Sequence, residues 1–240
     1  MKKNLRAINI ALAAATSMGM ASAAQAASID LAEFGLNIDG TTYCPMGCDV
    51  DVSELGGVPG VNDGGFDYDS GLGTISVSIT GTGPHSLVSF FDHDIDQTIN
   101  GFFNEIGASS GTAAAGQSWE IDEPGFIGGD IFGNFANDTL DNGIFDSVVS
   151  QPEDVSLALG WAFNLADGES AVISFMLSEI EPTSGFYLIQ TDPQSDHSIY
   201  FSSTLSIFDP TDVPEPGTLA LLGVGLLGAV GAARRRRIGG

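Results

Sequence analysis

Three aspartates in the segment FFDHDID, residues 90–96, have a spacing that could bind a metal ion. Asp92, Asp94 and Asp96 occupy alternate positions, and alternate side chains of an extended segment project to one side. Carboxylates on one side are suitable ligands for a hard cation, so one interpretation is a calcium site. The other is an acidic strand end that faces solvent. The pattern is not an EF-hand, because position six is Gln97 rather than Gly and position twelve is Phe103 rather than Glu.

A second segment, NDGGFDYD at residues 62–69, has a similar content of oxygen ligands. Its glycines and aspartates predict a loop. It is therefore a second candidate for calcium.

Catalytic patterns are scarce in this sequence. His93 lies between Asp92 and Asp94, and these carboxylates predict a raised pKa and a local ion pair rather than a catalytic base. Neither G-x-S-x-G nor H-E-x-x-H occurs. Two carboxylates could hydrolyse a glycoside, but among so many acids no pair can be nominated. We expect no enzymatic activity and no catalytic residue, with a glycoside hydrolase acting on matrix polysaccharide as an alternative.

The charged residues are unevenly distributed. The chain has 240 residues and a formal net charge of −24. All 31 acidic residues lie between Asp30 and Glu215, where no lysine or arginine occurs. Such a segment cannot neutralise phosphates, so we expect no nucleic-acid partner. Its charge favours cations as counter-ions, or serves only to keep the protein soluble.

Alternating apolar residues predict the elements that must position these side chains. Residues 75–80, 157–165, 173–177 and 199–207 alternate between apolar and small or polar residues, as half-buried antiparallel strands do. Asp167-Gly168 predicts a hairpin between the second and third of these runs. Further strands are expected at residues 28–38, 86–91, 117–121 and 185–190, and residues 126–145 predict a short helix or a long loop.

About eight or nine short strands with glycine-rich links indicate an all-β fold. A segment of this length can bury the inner faces of two sheets. We predict a single acidic β-sandwich domain, jelly-roll-like, over residues 27–212.

The first 26 residues have the layout of a bacterial secretory signal peptide. Lys2, Lys3 and Arg6 form a basic region, an apolar run follows, and Ala24-Gln25-Ala26 matches an A-x-A cleavage site. We place cleavage after Ala26, with Ala27 as the alternative. In the oxidising compartment outside the inner membrane, Cys44 and Cys48 are expected to form a local disulfide.

Residues 217–233 are uncharged and mostly apolar. As a helix they would extend about 25 Å, within the range observed for membrane-spanning segments. The four arginines that follow predict that translocation stops here and that the arginines stay in the cytoplasm. They are Arg234, Arg235, Arg236 and Arg237.

The order of Pro214-Glu215-Pro216, an apolar span and an arginine cluster resembles the PEP-CTERM sorting signal of Gram-negative bacteria. This resemblance implies that residues 213–240 form the sorting signal with its transmembrane helix. It implies that exosortase recognises Pro214, Glu215 and Pro216, and that the inner membrane holds the protein only transiently. The family is linked to exopolysaccharide and to biofilm or floc formation, which implies delivery to the cell-envelope surface or extracellular matrix.

The middle of the chain also looks like a recurring group of PEP-CTERM proteins. The similar segments are FFDHDID, AAAGQSWEIDEPGF, SGFYLIQTDP and IYFSSTL. This second resemblance implies no catalytic residue. We therefore expect a non-enzymatic surface or matrix protein, and a calcium-assisted carbohydrate-binding module is the alternative.

Overall fold

A computed structural model describes residues 28–97, 101, 103–125, 129–145 and 152–209 of the chain. The predicted signal peptide, residues 1–26, and the predicted sorting segment, residues 213–240, lie outside the described residues. Within the described ranges, no helix is long and apolar enough to cross a membrane.

Thirteen strands, one α-helix and one short 3-10 helix (Leu55–Gly57) make up the described part of the chain. The strands are β1 Ile29–Ile38, β2 Thr41–Cys44, β3 Val50–Asp51, β4 Val61–Asp67, β5 Leu72–Thr80, β6 Gly83–Ile95, β7 Ile106–Ser110, β8 Gln117–Asp122, β9 Gly143–Ile144, β10 Ser156–Leu165, β11 Ser170–Ser178, β12 Tyr187–Asp192 and β13 His197–Phe208. Helix α1 is Ile131–Asn137.

These strands form two sheets. The first sheet has the order β3-β2-β1-β6-β10-β8-β9, and the second sheet has the order β4-β5-β11-β13-β12-β7. Neighbouring strands are antiparallel, except that β2 pairs with β3 and β8 pairs with β9 in parallel.

A common apolar core lies between the two sheets. Ile75, Val77 and Ile79 of β5 are buried at alternate positions, as their spacing predicted. Phe91 of the first sheet packs edge-to-face on Phe201 of the second sheet, with ring centroids 5.3 Å apart. The all-β prediction is confirmed, and the jelly-roll likeness stays a prediction.

Helix α1 covers the outer face of the first sheet. It falls within the stretch for which the sequence predicted a short helix or a long loop. A second apolar cluster forms there from Val88, Phe90, Ile131, Phe135, Leu140 and Ala158. Strand β10 is therefore buried on both faces over much of its length, although its alternating sequence predicted burial on one.

The turn at Asp167-Gly168 does not form a hairpin, so that prediction was wrong. It connects β10, which pairs with β6 and β8, to β11, which pairs with β5 and β13 in the other sheet. Gly168 has a φ of 82°, whereas Asp167 has no positive φ. This combination is typical of a type II turn, whose twist separates the flanking strands, whereas a type I′ hairpin needs a positive φ at both residues.

Candidate functional site

Four residues form a row across the outer face of the first sheet, and we call them the acidic row. Glu33 of β1 pairs with Asp92 of β6, Asp92 pairs with Ser156 of β10, and Ser156 pairs with Asp122 of β8. Directly opposite residues on neighbouring strands present their side chains on the same face. Three carboxyl groups from three strands are thereby brought to one end of the sheet.

Asp92 of this row and the neighbouring Asp154 are both buried. Asp92 is 6% exposed, and its Oδ1 accepts a hydrogen bond of 2.9 Å from Ser156 Oγ. Burial, followed by the charge of Asp154, raises the pKa of Asp92 well above its usual value. Burial raises the pKa of Asp154 to about 7, and the charges of Asp94 and Glu33 add to this effect.

A second group of acids lies at the next row of the same face, and we call it the carboxylate pocket. One oxygen from each of Glu120, Asp130 and Asp141 lies within 4.8 Å of the others. These residues line a cavity of about 290 Å³. Burial raises the pKa of Glu120 to about 7. Both oxygens of Glu120 accept hydrogen bonds from Asn134 Nδ2, at 3.0 and 3.2 Å, and the second also accepts the Asp141 amide at 3.0 Å.

Two further acids hold the loop that leads from β8 into helix α1. Asp122 accepts hydrogen bonds from the backbone amides of Glu123 and Asp130, at 2.7 and 3.0 Å. Glu123 Oε2 accepts the amides of Gly125 and Gly129, at 3.2 and 3.1 Å. Amide donors stabilise an ionised carboxylate, so these acids shape the backbone as well as carrying charge.

The three aspartates predicted as calcium ligands have different partners. Asp92 faces Ser156 and Asp154, whereas Asp94 Oδ2 accepts a hydrogen bond of 3.2 Å from Gln97. Asp96 Oδ1 accepts the backbone amide of Ser28 at 2.9 Å. Joint calcium binding by the three residues stays a prediction.

The second predicted calcium segment, residues 62–69, is largely strand β4 rather than a loop. A register shift between Asn62 and Gly65 accommodates its glycines in the pairing with β5. Asp63 accepts a hydrogen bond of 2.6 Å from Tyr68, and Asp67 accepts the amide of Asp69 at 2.9 Å.

The predicted ion pair at His93 was wrong. His93 is fully buried, and burial lowers its pKa to about 4. A pKa this low keeps the ring neutral at neutral pH. Its Nε2 donates to the Gly71 carbonyl at 3.1 Å. Because successive strand side chains point to opposite faces, Asp92 and Asp94 lie on the other side of the sheet from His93.

Cys44 and Cys48 are joined by a disulfide, with Cα atoms 5.6 Å apart. It closes a short loop between β2 and β3. The sorting residues Pro214, Glu215 and Pro216, and the arginines Arg234 to Arg237, lie outside the described residues.

Sequence patterns did not identify Glu33 or Asp154 as members of the acidic group. They are about 60 residues from Asp92 along the chain, on opposite sides of it. The strand register pairs Glu33 with Asp92, and it pairs Asp92 with Ser156, two residues after Asp154. The sequence offers one weak indication for Asp154, which lies three residues before the alternating run at residues 157–165.

One comparison with known proteins identifies the role of the segment beyond the described residues. Residues 212–237 match the PEP-CTERM protein-sorting motif. No curated protein and no solved structure matches the chain. The chain therefore carries a PEP-CTERM sorting motif, which implies an exported protein with a membrane-associated sorting signal that exosortase processes.

Proposed function

We propose that this chain is a non-enzymatic protein of the cell surface or extracellular matrix, associated with exopolysaccharide in a biofilm or floc. The observation that carries the proposal is the PEP-CTERM motif at residues 212–237. It follows almost directly on strand β13, which ends at Phe208. The β-sandwich is thus the part of the chain that the sorting motif delivers.

The arrangement of the buried acids supports a structural role for them. Glu120 and Glu123 accept hydrogen bonds from backbone amides and from Asn134, and these contacts fix the segment around helix α1. These hydrogen bonds tie the carboxylates to the neighbouring backbone, as a structural role requires. The strong negative charge of the domain favours solubility after export.

We assign recognition by exosortase to Pro214, Glu215 and Pro216. Proline restricts its own φ and keeps the preceding residue extended, so this triplet suits a protease-like groove. The apolar residues 217–233 would hold the chain in the inner membrane, with Arg234 to Arg237 in the cytoplasm until processing.

Replacing Pro214, Glu215 and Pro216 by alanine in the native host tests the sorting step. We expect the variant to keep its C-terminal segment and to fractionate with the inner membrane, while the wild type is shortened and reaches the surface or the medium. Mass spectrometry and fractionation measure both. Pro182→Ala, which changes a proline between β11 and β12, is the matched control. Unchanged mass and location of the triple variant would refute the proposed recognition.

Retention of the processed protein by purified matrix polysaccharide tests the association with exopolysaccharide. We expect cosedimentation with the polysaccharide and no release of reducing ends. Failure to cosediment would remove the matrix association, and release of reducing ends would show a hydrolase instead.

A further inference from the structure

The outer face of the second sheet carries hydroxyl groups and no charge. Its side chains are the alternate residues of four neighbouring strands, from Thr74 to Thr80 in β5, from Ser170 to Ser178 in β11, from Ser198 to Phe208 in β13 and from Tyr187 to Thr191 in β12. The residues between them point to the inner side of the sheet. Most of the alternate residues are serine, threonine or tyrosine, and none of them is acidic or basic. We call this surface the hydroxyl face.

The strand register places these hydroxyl groups side by side. Ser76 pairs with Ser174, and Ser174 pairs with Thr204, so three strands contribute one row of hydroxyl groups. The hydroxyls of Ser76 and Ser174 share a hydrogen bond of 3.0 Å, and those of Thr191 and Ser198 share one of 2.7 Å. Neighbouring strands lie about 4.8 Å apart. The face is therefore a regular array of groups that can each donate and accept a hydrogen bond.

Two tyrosines add an aromatic surface to this array. Tyr187 and Tyr200 pack edge-to-face, with ring centroids 5.9 Å apart. Tyr187 is buried and donates its hydroxyl to Glu181 at 2.6 Å, whereas Tyr200 is partly exposed. An aromatic ring with a polar end suits a partner that has both apolar and polar groups, as a sugar ring does.

The lack of charge on this face restricts the class of partner. All 31 acidic residues of the chain lie between Asp30 and Glu215, and the first sheet carries the acidic row and the carboxylate pocket on its outer face. A polyanion is repelled by the domain as a whole, and a polycation is attracted to those acids instead. The hydroxyl face therefore favours a neutral partner.

A second protein chain fits this face less well than a sugar polymer does. The centres of protein–protein interfaces are enriched in aromatic residues and methionine and depleted in serine. Serine and threonine predominate on the hydroxyl face, with Met176 and Tyr200 as exceptions. Hydroxyl groups of a polysaccharide can donate and accept in turn, and bridging waters can complete such contacts.

We propose that the hydroxyl face binds an uncharged polysaccharide chain that lies across β5, β11, β13 and β12. The inference rests on the proposed association with matrix polysaccharide. It adds that the bound polymer is neutral, and that the second sheet binds it rather than the acids of the first sheet.

Cosedimentation of the full chain with fractionated matrix polysaccharide tests the inference. Anion exchange separates the polysaccharide into neutral and acidic fractions, and the protein is kept in a detergent without a sugar headgroup. We expect the neutral fraction to bind more tightly than the acidic one. Equal or tighter binding of the acidic fraction would overturn the inference and leave the matrix association intact. Binding of neither fraction would refute both.

Thr204→Glu locates the binding on the hydroxyl face. Thr204 is exposed, so the new carboxylate can stay hydrated in the free protein but would lose water against the polysaccharide. We expect the affinity for the neutral fraction to fall about tenfold or more. Thr204→Ser keeps a hydroxyl group and should bind like the wild type. An unchanged affinity of T204E would overturn the inference.

Thr139→Glu is the matched control, because it adds the same charge at an exposed threonine that follows helix α1 on the other sheet. We expect T139E to bind like the wild type, and melting temperatures show that each variant is folded. An equal loss of binding in T139E would indicate a general effect of charge and overturn the inference. Light scattering supplies a further check. A wild-type dimer that T204E dissociates would show that a second copy covers this face instead.

Discussion

Glu105 Oε2 accepts a hydrogen bond of 2.6 Å from Gln190 Nε2, while its Oε1 accepts the backbone amide of Ile95 at 2.8 Å. Gln190 belongs to the second sheet and Ile95 to the first. Glu105 is fully buried, and burial raises its pKa to about 9. An uncharged carboxyl group therefore joins the two sheets at neutral pH.

This arrangement predicts that stability falls as the pH rises. The folded-state pKa of Glu105 lies above its unfolded value of 4.5, so the folded protein holds a proton that the unfolded chain releases. The resulting stabilisation is complete below about pH 4.5 and is lost as the pH rises through about 9. Between pH 7.5 and 9 the free energy of unfolding should fall by up to about 1.4 kcal/mol per pH unit from this group. Urea unfolding in EDTA measures it.

Glu105→Gln should flatten this upper part of the pH profile. Gln cannot release the proton, while Glu120 and Asp154, with pKa values of about 7, keep the slope at lower pH. At neutral pH and below, E105Q should also be less stable than the wild type, because an acceptor becomes a donor. Exposed Glu54→Gln is the control. An unchanged slope in E105Q between pH 7.5 and 9 would contradict the raised pKa.

Asn37→Ala should destabilise the attachment of helix α1 to the sheet. Asn37 Nδ2 donates to the carbonyls of Phe135 and Ala136 at the end of the helix, at 2.9 and 3.0 Å. Removing the side-chain amide leaves these carbonyls without that donor, so the free energy of unfolding should fall by about 1–3 kcal/mol. Chemical denaturation measures the change. Asn164→Ala, at an exposed position of β10, should have little effect. Equal stability of both variants would contradict the role of Asn37.

Gly35→Ala should destabilise the same interface by a different route. A Cβ at Gly35 would lie 2.7 Å from Cζ of Phe135, so the ring would have to move. We expect a loss of about 1–3 kcal/mol from overpacking. Combining it with Phe135→Leu should cost less than the sum of the single changes, as a double-mutant cycle shows. Gly57→Ala, with no atom within 4 Å of the new Cβ, is the control. Strict additivity would argue against this contact.

Cys44→Ser/Cys48→Ser should lower stability modestly. The disulfide spans a sequence separation of only 4, so constraining the unfolded chain contributes about 2 kcal/mol. Thermal unfolding with and without dithiothreitol measures it. The wild type should become less stable on reduction and the double variant should not respond; a response in the variant would show that the reductant acts elsewhere.

Periodicity predicted the strands of this fold better than their connections. Ile75, Val77 and Ile79 alternate because one face of β5 meets the core, a local property that the sequence records directly. The crossing at Asp167-Gly168 depends on the φ angle of a single residue, which the dipeptide does not determine. The continuous burial of β10 depends on helix α1, which is distant in sequence.

In the candidate site, too, local patterns could be read from the sequence, whereas contacts between strands could not. Asp92 was identifiable because its neighbours Asp94 and Asp96 form a dense local pattern. Its pairing with Glu33 and with Ser156, two residues after Asp154, follows from cross-strand register, which depends on packing over the whole sheet. The charge of His93 was mispredicted because sequence adjacency ignores the alternation of faces in a strand.

The position of β13 has a mechanical consequence. This strand leads toward the sorting segment, and it lies inside the second sheet with hydrogen bonds to β11 on one side and β12 on the other. A force applied through a tethered C-terminal segment would run along β13 and load both ladders in shear. The interstrand hydrogen bonds are perpendicular to this force, so they would resist it together instead of breaking one after another. The domain would thus resist unfolding from its C-terminal end when it is attached there and a force pulls on the rest of the protein.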